Sequence, residues 1–234
     1  MNTRYPLFCF TCALLLALGG CEKVEFQSPP SLPLASCDQA FVGSWLVEDV
    51  ENGDDDDSPM YLRVTEGCAD WWGIELDQAN PGNAKVEDLT AKMRLGFAHT
   101  EDRRYIAARD EPGEAPVDAD AQPEGYVLVE YRVVESGLEM RMLDPRKTAN
   151  AIIDGDLEGW VEKRDRAADG RIAPLEKRFY VYVFGSADET RDALEQHAAN
   201  LLGPVWLRLT KVDPATAEQI AVWTAAGPTP APSN

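Results

Sequence analysis

The sequence predicts a mainly β fold, an antiparallel barrel or sandwich of about ten strands with two or three short helices late in the chain. Two observations carry that prediction. Apolar and polar residues alternate with a period of two through most of the stretch between residues 40 and 143, the pattern of antiparallel strands with one face buried. After residue 143 three helix starts are written in capping chemistry: Asp144-Pro145, Ser186 with Glu189, and Asp213-Pro214.

Taken in order, a first strand is predicted near 40–48. Met60, Leu62 and Val64 then face away from Tyr61, Arg63 and Thr65, and Trp72, Ile74 and Leu76 away from Trp71, Gly73 and Glu75. The run Leu89, Ala91, Met93, Leu95, Phe97 reads as one strand interleaved with Thr90, Lys92, Arg94 and Gly96. A strand at 103–108 precedes the clearest hairpin, "YVLVEYRVVESGLEMRML", in which Val127, Val129, Tyr131 and Val133 share a face and Ser136-Gly137 supplies the turn. Further strands are predicted near 157–163, 178–184 and 205–212. Asp144 and Asp213 each offer a capping carboxylate followed by proline at the first helical position. Ser186 and Glu189 have capping-box spacing, and Leu194, Ala198 and Leu201 form one face of a helix that stops at Gly203-Pro204. That helix is expected to pack on the sheet or to plug an open barrel end.

The N-terminal stretch is of another kind. Tyr5 to Gly20 carry no charge, Arg4 is the only basic residue ahead of them, and Leu18-Gly19-Gly20-Cys21 closes the run. This is the layout of a secretory signal, too short for a spanning helix, which needs roughly 20 apolar residues. The four residues Leu18 to Cys21 resemble a bacterial lipoprotein signal. The resemblance implies cleavage before Cys21, lipidation of that cysteine through a diacylglycerol thioether and an N-acyl chain, and a periplasm-facing protein held by membrane lipid. Glu22, where lipoproteins kept at the inner membrane often carry Asp, implies delivery to the outer membrane.

The expected organisation is a signal peptide at 1–20, the lipidated cysteine and a flexible tether at 21–36, one β-rich domain at 37–224 and a disordered tail at 225–234. The tether expectation rests on Pro29, Pro30 and Pro33 and the lack of any period in "EKVEFQSPPSLPLAS"; fully extended, such a segment would reach about 45 Å.

Charge narrows the partners. The chain has 22 Lys and Arg against 41 Asp and Glu, a balance that disfavours nucleic acid, which needs a basic footprint. Of five cysteines, Cys9 and Cys12 leave with the signal and Cys21 is the lipidation site, so Cys37 and Cys68 remain as a disulfide pair for an oxidising compartment.

No cofactor, metal or catalytic set is predicted. Asp54 to Asp57 are consecutive, whereas calcium loops alternate ligands with turn residues, so a solvated hairpin tip is the better reading. His99 and His197 lack a partnered nucleophile in sequence, and "FGSAD" is not a G-x-S-x-G elbow. Gly43-Ser44-Trp45 on the first strand resembles the G-x-W opening of lipocalins and related calycin barrels, which implies a tryptophan packed across a closed base and a carrier of small apolar ligands. Candidate lining residues for such a pocket are Trp45, Trp72, Met93, Tyr131 and Met140. The chain also broadly resembles small bacterial envelope lipoproteins. Two functions remain open at this point: a non-catalytic interaction or scaffolding domain with an envelope protein partner, or the carrier.

Overall fold

The computed structural model describes residues 23–50, 59–76, 84–90, 93–110, 125–164 and 178–228. They form a mainly β, sandwich-like fold with a nine-stranded and a three-stranded sheet. The large sheet is antiparallel throughout, in the order β5 (Ala84–Asp88), β4 (Trp71–Leu76), β3 (Met60–Val64), β2 (Gly43–Asp49), β12 (Leu202–Lys211), β9 (Gly137–Leu143), β8 (Val127–Val134), β7 (Arg104–Asp110), β6 (Met93–His99). β5 and β6 are its two edges, so the sheet is not closed into a barrel. It curls nonetheless: the rings of Trp71 on β4 and Phe97 on β6 are 6.2 Å apart across the interior.

The small sheet holds β1 (Lys23–Phe26), β11 (Arg178–Val183) and β10 (Gly159–Arg164). β1 runs parallel to β11 and β10 antiparallel to it. Three helices complete the fold: α1 (Pro145–Asp154), α2 (Ala187–Leu201) and α3 (Pro214–Ala225). Each starts as the sequence predicts. Asp144 accepts from the N–H groups of Arg146 and Lys147, Asp213 from those of Ala215 and Thr216, and Ser186 and Glu189 form a reciprocal capping box. Such caps contribute about 1 kcal/mol each. α1 ends on Gly155 at φ 84°, the left-handed conformation glycine adopts without a Cβ penalty.

Three apolar clusters arise because both faces of the large sheet are covered. The interior holds Trp45, Leu62, Trp71, Phe97, Tyr131, Met140 and Leu209. Outside β7, β8 and β9, Tyr105, Ala107, Leu128 and Leu143 meet a second layer made of Val24, Phe26, Val181 and Val183 of the small sheet with Ala149 of α1 and Leu194, Ala198 and Leu201 of α2. At the other end, Ile220 of α3 lies on Ile74 and Val86, flanked by Tyr61, Trp72 and Trp223. The predicted face of α2 is therefore correct, but it packs against the outer layer and does not plug the interior.

Several expectations change. The described part of the 21–36 segment is not a free tether. β1 belongs to the small sheet, Phe26 and Tyr126 exchange backbone hydrogen bonds of 2.9 and 2.8 Å, and Ala35 and Phe97 do the same at 2.9 and 2.8 Å. Leu34 lies so close to Gly96 that a Cβ there would stand 2.7 Å from its Cδ1. The backbone of this segment thus finds its partners along strand edges, as unpaired N–H and C=O groups require. The predicted strand from Leu89 to Phe97 divides: Leu89 follows β5, and β6 begins only at Met93. The hairpin turn is Glu135-Ser136, one residue earlier than predicted, with Val134 opposite Gly137. Gly137 has φ 153°, and a Cβ there would stand 1.9 Å from the Leu209 carbonyl oxygen. Residues 225–228 complete and follow α3; the remaining tail, the acidic run Asp54 to Asp57 and Cys21 lie outside the described residues.

Cys37 and Cys68 are joined by a disulfide with Cα atoms 5.2 Å apart. Closing a loop of 31 positions stabilises by roughly 3 to 4 kcal/mol in the chain-entropy account. It fastens the turn before β2 to the turn between β3 and β4.

Candidate functional site

The structure places the side chains of four of the five predicted pocket residues, and three of them meet in the interior of the large sheet. Trp45 on β2, Tyr131 on β8 and Met140 on β9 are all buried in one cluster. Trp45 donates its indole N–H to the Phe41 carbonyl oxygen at 2.7 Å. Lys211 stands over the same ring, 5.4 Å from its centroid. Trp72 is a correction: alternation on β4 turns it to the outer face, where it flanks Ile220 of α3, while its neighbour Trp71 enters the interior. Met93 opens β6; its side chain lies outside the described residues.

The interior is occupied by a residue that the sequence reading passed over. A short 3-10 turn, Gln39–Phe41, precedes β2 and directs Phe41 inward with no exposed surface. Its ring centroid lies 4.8 Å from Tyr131, 5.4 Å from Phe97 and 5.5 Å from Trp71. These tilted and edge-on arrangements suit aromatic quadrupoles and contribute beyond area burial. The turn is held from three sides. Asp38 caps it by accepting from the Ala40 N–H at 2.9 Å; Tyr131 donates its hydroxyl to Asp38 Oδ2 at 2.5 Å; and Cys37 is tied to Cys68. Arg104 Nη1 adds an ion pair to Asp38 at 3.4 Å.

The electrostatics of this latch follow from its contacts. Burial acts to raise the Asp38 carboxyl, but the hydrogen bonds from Tyr131 and Ala40 and the Arg104 charge outweigh it, so Asp38 stays below the usual carboxylate value. Burial, then the hydrogen bond to Asp38, pushes the Tyr131 phenol well up. A carboxyl whose folded value is depressed adds stability that is complete above the unfolded value, near 4, and is lost as pH falls through the folded one. We therefore expect Tyr131→Phe to cost about 1.5–3 kcal/mol at neutral pH, the range for hydrogen bonds to charged groups. That gap should shrink below about pH 4 as Asp38 takes up a proton. Urea unfolding of both proteins across acidic pH measures it; a gap independent of pH would refute the assignment.

A second polar site lies on the outer face of β7, β8 and β9. Register places Tyr105, Glu130 and Arg141 in one row across these strands. Glu130 is 1% exposed and is met by three guanidiniums: Arg103 hydrogen-bonds Oε1, Arg132 Nη2 is 3.6 Å from Oε1, and Arg141 Nη1 is 3.8 Å from Oε2. Oε2 accepts no hydrogen bond among the described residues, nor does the buried Tyr105 hydroxyl make one. Burial first, and the Glu130 charge second, push the Tyr105 phenol far up. The adjacent row continues the alternation of sign: Arg132 opposes Glu139, Glu139 Oε1 is 3.3 Å from Arg208, and Arg208 is 3.9 Å from Glu48. Such cross-strand pairs contribute about 0.2–1 kcal/mol each. The first row neutralises the buried Glu130 charge, while the second, with Arg208 and Glu48 each 39% exposed, lies open to solvent.

Sequence reasoning could have found part of this. Glu130 is the acid in "VLVEYRVV", on the face that also carries Leu128, and an acid between apolar neighbours on a strand buried on both sides demands cationic partners. Phe41 and Asp38 had no comparable signal, since their roles depend on a turn whose position the disulfide fixes. His99 is exposed at the end of β6, and His197 is half-buried on α2. Among the described residues no three His, Cys, Asp or Glu side chains are placed to hold a metal ion, and no helix is long and apolar enough to cross a membrane. Compared with protein families, curated proteins and solved structures, the chain matches none.

Proposed function

We propose that this chain is an envelope lipoprotein, anchored through Cys21, whose β domain acts by contact with an envelope partner and not by chemistry on a substrate. The observation that carries the reading is Leu18-Gly19-Gly20-Cys21 at the end of an uncharged run. The Cys37–Cys68 bond supports it, since disulfides persist in oxidising compartments. The acidic balance of the chain offers no general attraction to an anionic membrane, so attachment is assigned to acyl chains, each buried CH₂ contributing about 0.8 kcal/mol. The contact reading is supported by Phe41: a calycin-like carrier needs interior space where this ring stands.

Cys21→Ala should move the protein from the membrane pellet to the soluble fraction, with the unmodified chain as control. Retention of the alanine variant in the pellet after high salt and carbonate washing would refute the anchor. The contact reading is tested by crosslinking the anchored protein in intact envelopes and identifying adducts by mass spectrometry; a lipid or other small apolar molecule recovered in stoichiometric amount would place the carrier ahead.

A further inference from the structure

A strap that belongs to neither sheet closes the interior. Ser36 to Phe41 lead from the bridge between Ala35 and Phe97 on edge strand β6 to the start of β2 at Gly43. Among the described residues they make no backbone–backbone hydrogen bond to another element; the N–H groups of Phe41 and Val42 bond back to Asp38 and Gln39. Side chains hold the strap instead, and they reach both arms of the curled sheet. Cys37 is bonded to Cys68, in the turn between β3 and β4. Asp38 accepts the Tyr131 hydroxyl of β8 and pairs with Arg104 of β7. The Phe41 ring stands between Trp71 of one arm and Phe97 of the other, at 5.5 and 5.4 Å. The disulfide is the covalent tie, whereas both side-chain partners of the Asp38 carboxylate lie on the β7–β8 arm. Cys37 is half-buried and Cys68 buried, so an incoming thiolate meets Cys37 Sγ first.

We propose that Cys37–Cys68 is a redox latch over a binding site: on its reduction the strap withdraws Phe41, and a small apolar molecule with an aromatic ring takes that place among Trp71, Phe97 and Tyr131. The step needs a dithiol donor, of the class that thiol–disulfide oxidoreductases carry. One donor thiolate bonds to Cys37 Sγ, the S–S bond breaks, and Cys68 leaves as a thiolate. The second donor thiolate then displaces Cys37 and closes the donor's own disulfide. Two electrons pass to the pair, and the two protons released by the donor thiols end on Cys37 and Cys68. Reduction also frees a loop of 31 positions from its closure, and the strap has no ladder of backbone bonds to keep it in place. Burial of Phe41 opposes the movement; an incoming ring offsets that cost by taking over the same aromatic contacts. In the oxidised protein Phe41 still excludes a ligand, as the contact reading above requires, and the latch does not depend on the Cys21 anchor.

The test compares the full chain when oxidised, the same protein after dithiothreitol, and the double variant Cys37→Ser with Cys68→Ser, with N-phenylnaphthylamine as the fluorescent probe. The reduced protein and the double variant should each bind the probe saturably and roughly tenfold more tightly than the oxidised protein, because reduction raises the fraction of chains in the open form. Both should keep a cooperative urea transition. Photoactivated azidonaphthalene should label Trp71, Phe97 or Tyr131 in the reduced protein, read by peptide mass spectrometry. Equal binding by oxidised and reduced protein, or no binding by a reduced protein that still unfolds cooperatively, would overturn the proposal. Loss of cooperative unfolding on reduction and in the double variant would overturn it as well, since a bond needed for the fold itself cannot gate a site. Labelling confined to residues outside the interior, such as those of α3, would overturn the placement of the site.

Discussion

Phe41→Ala is expected to lower the free energy of unfolding by about 3–5 kcal/mol, the range for removing a buried aromatic side chain. Three effects act together. The apolar surface of the ring returns to water, its contacts with Trp71, Phe97 and Tyr131 vanish, and the curled sheet cannot collapse to fill the gap because Cys37–Cys68 fixes the turn. Equilibrium urea unfolding measures the loss. Phe41→Leu should lose clearly less, since it retains much of the volume. A loss below about 1 kcal/mol for the alanine variant, typical of a surface change, would mean that Phe41 is not the interior's central side chain. The same variant bears on function: if the vacated interior binds an apolar dye that the unmodified protein does not, Phe41 is what separates this fold from a carrier.

The second large effect is expected at Glu130. Removing one partner of a buried charge cluster leaves the others uncompensated, which costs about 3–5 kcal/mol. For Glu130→Ala the lower end of that range applies, because the side chains of Arg103 and Arg141 keep 21% and 25% of their surface and can be partly rehydrated. Replacing Glu130 and Arg103 together by leucine and methionine should recover a good part of the loss, since an apolar set of similar size avoids the desolvation of the pair. Urea unfolding of the single and double variants decides: a double variant as unstable as the two single losses summed would show that the cluster acts through individual contacts and not as a mutually compensating set.

How much of this was legible in the sequence depended on the range of the interaction concerned. The caps at Asp144, Ser186 and Asp213 were readable because side chain, backbone partner and proline lie within one turn. The hairpin of β8 and β9 was readable to within one residue because alternation and turn chemistry agree. β5, "AKVED", was missed because an edge strand with acids and a lysine carries little periodic signal, as edges that resist aggregation should. β1 was missed because proline-rich flanks make four residues of strand look like linker, and only pairing with β11 and Tyr126 reveals it. Trp71 and Trp72 show a related limit. Alternation correctly put them on opposite faces, but both faces are covered, so the sequence could not say which of the two belongs to the interior.

The parallel pairing of β1 with β11 also sets an order of assembly. Glu25 and the Tyr180 hydroxyl that bonds to it are 155 positions apart, and contacts of such separation form late because much of the chain must be ordered before they can close. A chain that emerges N-terminus first during synthesis would present β1 to solvent, with its backbone donors and acceptors unpaired, until β11 has followed it. During that interval β1 is an open strand edge. The prolines at 29, 30 and 33 follow immediately after it, and prolines are among the devices that discourage unwanted strand addition. The same short sequence that looked like a passive spacer would then act as a guard on a nascent edge, protecting it until its distant partner arrives.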